Sequence, residues 1–143
     1  MRSFTKTTLA TLGVLTLAAP AAAQFGGPPA PPNTGVPLFA HLAGGEGAGN
    51  VTVVVDPPKG TACYILNVAG LANVTMAHIH KGAAGETGAV VVPFEKPEGG
   101  TSGGCAQVTA EVSAALLADP GGYYVNVHTQ AFPSGAIRGQ LNK

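Results

Sequence analysis

Leu38, Ala40 and Leu42 alternate with Phe39 and His41, and this two-residue period predicts a first β-strand from Val36 onward. The glycine-laden stretch 44–50 predicts a turn into a second strand, 51–55, before Pro57, Pro58 and Gly60 interrupt. Residues 61–68 read as a third strand through β-formers such as Tyr64 and Ile65, and 74–80 as a fourth. The run 89–92 is a short, wholly apolar strand stopped by Pro93, and 95–104 reads as the longest polar loop. One helix is predicted over 113–118, with Ser113 as its N-cap and Pro120 beyond its end. Segments 123–128 and 136–141 flank a turn with Pro133, Ser134 and Gly135 and read as a closing antiparallel hairpin. Seven or so short strands with one short helix indicate an all-β domain, a β-sandwich or Greek-key barrel.

The strand faces bring in the chemistry. In the fourth strand Ala77 and Ile79 fall on one side and His78 and His80 on the other, so the apolar pair faces the core and the imidazoles face out. Val74 and Met76 share the histidine face, which implies that this face is partly covered. In 123–128, Val125 and Val127 oppose Tyr124, Asn126 and His128. In the last strand Ile137 and Leu141 oppose Ala136, Arg138 and Gln140, so the hairpin can set Arg138 on the outer face with His128. His78, His80 and His128 are therefore candidate ligands of one copper or zinc ion, since neutral imidazole suits both. His41 reads first as an outward strand residue and second as a further ligand.

Residues 1–23 read as an export signal: Arg2 and Lys6, an apolar run 9–19, and Ala21, Ala22 and Ala23 before Gln24. Residues 24–35 are a Pro/Gly-rich leader suited to a tether, and 36–143 make one domain. The expected location is secreted or periplasmic. Removing Arg2 and Lys6 from seven basic residues leaves five against seven acidic ones, a net charge of −2. That balance argues against nucleic acid as a partner, and no later apolar run approaches the roughly 20 residues of a membrane span. The partners this surface suits are a metal ion, a small anion or an extracellular protein. Export also favours a disulfide between the two cysteines, Cys63 and Cys105. It closes a loop of about 40 residues, worth about 4 kcal/mol in the chain-entropy account.

Two motifs carry a family resemblance. Ala77, His78, Ile79, His80, Lys81 and Gly82, followed by Gly88 to Val92, form the first; Tyr124 to Thr129 with Pro133 to Leu141 forms the second. Together they resemble the chordin-type (CHRD) domain over about residues 36–141. The resemblance implies an immunoglobulin-like barrel related to copper-zinc superoxide dismutase. In that enzyme an H-x-H strand supplies two copper ligands, and His128 would stand for one on a late strand. Residues 81–104 contain no histidine for a bridging ligand, so no zinc site of the dismutase type is expected. Arg138, the one arginine outside the signal, would be either the anion guide, although it follows His128 sooner than the dismutase pattern has it, or a structural hydrogen-bond donor to loop carbonyls. Two functions follow as expectations. One is a three-histidine copper site with dismutase-like redox activity, its coordination completed by His41 or water; the other is a metal-free extracellular binding or adhesion module.

Overall fold

Val36–Gly44 (β1) and Gly47–Asp56 (β2) pair as an antiparallel hairpin in which Ala43 faces Ala48. This computed structural model describes residues 34–143; the expected signal and nearly all of the leader lie outside the described residues. The hairpin turn is much tighter than the glycines suggest. Gly47 and Gly49 belong to β2, because a Cβ at Gly49 would press on the Asn67 carbonyl, 2.7 Å away, in the next strand. A Cβ at Gly44 would collide with the Ala136 carbonyl. These glycines let strands approach closely as well as turn.

Thr61–Ala69 (β3) continues the meander, followed by Val74–Lys81 (β4), Val90–Phe94 (β5), Thr101–Gln107 (β6), Tyr123–Thr129 (β7) and Ile137–Gln140 (β8). All ladders are antiparallel, in the order β5-β4-β7-β8-β1-β2-β3-β6. The chain crosses from β3 to β4 and from β6 to β7, a Greek-key path that rolls the sheet into a nearly closed barrel. At the remaining gap Tyr64 of β3 stacks on Phe94 of β5 at 3.9 Å, and the Glu95 N–H donates to the Tyr64 hydroxyl at 2.6 Å. The expected all-β class with one short helix is what the described residues adopt.

Three predicted elements shift. The segment 95–104 is not simply a loop: its second half is β6, which pairs Cys105 directly opposite Cys63 and carries their disulfide. Pro93 does not stop β5 but lies within it, tolerated because β5 is an edge strand where a missing N–H need not break a ladder. The helix (α1) spans Ala110–Ala118 and is capped by Thr109, whose hydroxyl accepts from the Val112 N–H at 3.2 Å. Ser113 is not the cap but a buried residue of the helix interior.

The barrel interior follows the period-2 pattern. Leu38, Leu42, Val53, Val55, Leu66, Ile79, Val92, Val125, Val127 and Ile137 are fully buried, and Leu116 of α1 joins them. Each such side chain contributes about 1.5–3 kcal/mol relative to exposure. Burying Ala77 and Ile79 fixes the register of β4, and with it the outward placement of His78 and His80.

Candidate metal centre

β4 and β7 are neighbours, with Met76 opposite His128, His78 opposite Asn126 and His80 opposite Tyr124. The three histidines expected to meet therefore do. Ring centroids are 5.4 Å apart for His78 and His80, 5.3 Å for His78 and His128, and 6.0 Å for His80 and His128. One nitrogen from each lies within 4.8 Å of the others. Ligands at about 2.0–2.1 Å from a shared ion stand at most about 4 Å apart, so a small ring rotation closes the widest gap.

Hydrogen bonding decides which nitrogens are available. His80 Nδ1 lies 2.9 Å from the Gly88 carbonyl and His128 Nδ1 lies 2.9 Å from the Pro133 carbonyl. A carbonyl only accepts, so each Nδ1 carries the proton and donates, leaving each neutral ring a lone pair on Nε2. Those two Nε2 atoms, and His78 Nδ1, are buried and have no hydrogen-bond partner among the described residues. Burial first, then the nearby His128 and His80 rings, holds His78 below the ordinary imidazole pKa of 6.5. The cluster contains histidines alone, without carboxylate or thiolate.

The histidine face, expected to look outward from the core and to be partly covered, is covered. Every residue of β7 is buried, and His128 is only 7% exposed, because loops fold over that face. Arg138 helps to hold one of them. Its Nη1 donates to the Glu86 carbonyl at 2.9 Å, and its Nη2 to the Ala83 carbonyl at 3.4 Å and to Gln140 Oε1 at 3.2 Å. Gln140 Nε2 donates to the Gly82 and Gly121 carbonyls at 3.0 and 2.7 Å. β8 thus anchors the loop that ends at Gly88, whose carbonyl orients His80. Arg138 shares the outer face with His128 as expected, but its guanidinium sits 3.6 Å over the Tyr124 ring. His80 stacks on that ring at 5.0 Å, and because β7 lies between β4 and β8, Tyr124 stands between the arginine and His80.

His41 is not in the cluster. It is exposed on β1 and its Nδ1 pairs with Asn50 Oδ1 across the hairpin at 3.0 Å. Gly88, Pro133 and Tyr124 are the supporting residues that sequence reasoning did not assign to the site. Two of them act through backbone carbonyls, which no side-chain motif reveals. Residues 21–141 match the CHRD domain. No curated protein and no solved structure gives a significant match.

Proposed function

The chain belongs to the CHRD domain family, and from that premise we propose that His78, His80 and His128 bind a single copper ion in an exported protein. The carrying observation is a cluster of three histidines whose ligand atoms lie within 4.8 Å of one another and each of which has a buried, unpartnered ring nitrogen, two of these nitrogens left in the ligating tautomer by backbone carbonyls. Leaving a buried polar atom unsatisfied costs about 1–3 kcal/mol, so the cluster makes better sense as a metal-ion receptor than as packing. The same observation favours this reading over a metal-free binding or adhesion module. Export rests on the expected N-terminal signal and accords with the Cys63–Cys105 disulfide.

Copper bound to three imidazoles supplies a one-electron couple and an open coordination position for a small molecule. The chain's own residues do the rest. Gly88 and Pro133 hold the protons of His80 and His128 on Nδ1, and Tyr124 covers the face of His80. Dismutase-like turnover is the finer reading of the site. In it Arg138 would guide the anion, yet its bonds to loop carbonyls and its place beyond Tyr124 support a loop clamp instead.

Electron paramagnetic resonance of protein loaded with one equivalent of Cu(II) tests the proposal. The expected spectrum shows hyperfine structure from several nitrogens that is lost or altered in both His78→Ala and His128→Ala. Spectra identical in the wild type and both variants would refute it.

A further inference from the structure

Met76 is the one methionine besides Met1, and it stands on the histidine face of β4. Its placement there is not required by the core: the residue is 46% exposed, among the few large apolar residues so presented. It lies two residues before His78, hence on the same face, and directly opposite His128 across the β4–β7 ladder. Side chains paired this way have Cβ atoms about 4.5–5.5 Å apart, and an unbranched thioether with three rotatable bonds reaches across such a gap. The pairing has a local cause. The ladder register shifts between Val74 and Met76, and Met76 and His128 are the first pair beyond that irregularity.

On the reading that the three histidines bind copper, we propose that the Met76 thioether is a fourth ligand that biases the site toward Cu(I). Two features support it. Thioether sulfur is a soft donor that favours Cu(I) over the harder Cu(II). The histidine cluster brings no carboxylate or thiolate, so the full set of ligands is neutral and suits the less charged ion. Solvent exposure of Met76 leaves the sulfur free to swing toward the ion, while carbonyl hydrogen bonds hold the His80 and His128 rings in place.

Met76→Leu keeps the apolar bulk and removes the sulfur. The test measures Cu(I) affinity anaerobically against a chromophoric chelator, Cu(II) affinity aerobically, and the X-ray absorption spectrum of the Cu(I) form. We expect a sulfur shell near the copper in the wild type and its loss in Met76→Leu, with Cu(I) affinity reduced at least tenfold and Cu(II) affinity changed less than twofold. A wild-type spectrum with nitrogen ligands only, and equal Cu(I) affinities, would overturn the role of Met76 while leaving the three-histidine site standing. Failure of the wild type to bind copper in either oxidation state would overturn both. Equal losses of Cu(I) and Cu(II) affinity in Met76→Leu would also overturn it, because a structural role moves both and a soft ligand moves one.

Discussion

At the scale of single residues, the site depends on two carbonyl oxygens more than on anything a motif displays. His80 and His128 each need a proton on Nδ1 to leave Nε2 available, and Gly88 and Pro133 impose it. Such outer partners commonly carry 10–100-fold of metal affinity. Gly88 has a further constraint: a Cβ there would collide with the Lys81 carbonyl, so its backbone lies where only glycine fits. Gly88→Ala should therefore push the carbonyl away from His80 and weaken copper binding about 10–100-fold, read by chelator competition, with the circular-dichroism spectrum retained. Unchanged affinity would show that His80 needs no such orientation. The three clustered histidines themselves were legible from the H-x-H spacing and the late histidine strand. Their outer partners were not, because any residue type can offer a carbonyl.

At the scale of elements, period-2 alternation located strands whose inner faces are strongly apolar, such as 38–42 and 51–55, and failed where side chains are small. β6 reads Thr101, Ser102, Gly103 and Gly104 before Cys105, with no apolar face to announce it, and it is a strand because β3 and the disulfide give it a partner. Helix α1 began earlier than expected for a similar reason: Thr109 and Ser113 are both competent caps, and packing of Leu116 into the core, with Ser113 buried beside it, favours the longer helix. The disulfide also ties edge strand β6 to the barrel. Replacing both Cys63 and Cys105 with Ala should lower stability by about 2–5 kcal/mol in urea denaturation. A change under about 0.5 kcal/mol, within the range of an ordinary surface substitution, would mean that the β3–β6 ladder holds without it.

At the scale of the whole molecule, the β3-to-β4 and β6-to-β7 crossovers lay β4 beside β7 in the sheet and so turn three scattered histidines into one site, a step invisible to local pattern. Gathering three imidazoles also gives the metal-free protein a pH signature. His78 has its folded pKa held below 6.5, so as pH falls through that value the unfolded chain takes up a proton that the folded one resists. Over that interval the unfolded state binds more protons, and stability present above pH 6.5 is lost as pH falls toward the folded value. Chemical denaturation of the apo-protein between pH 8 and pH 5 should show this decline, smaller in His78→Leu; parallel profiles would assign it elsewhere. Asp56 adds a second step at lower pH. Hydrogen bonding to Lys59 holds its carboxyl below 3.8, so its contribution persists above that value and is lost as pH falls through the folded one.

The central claim concerns one ion and three nitrogens, and crystals of the copper-loaded protein measured at the copper absorption edge test it most directly. The account predicts a single strong anomalous peak within bonding distance of His78 Nδ1, His80 Nε2 and His128 Nε2. A peak elsewhere, such as beside His41, or none between those three rings, would contradict it.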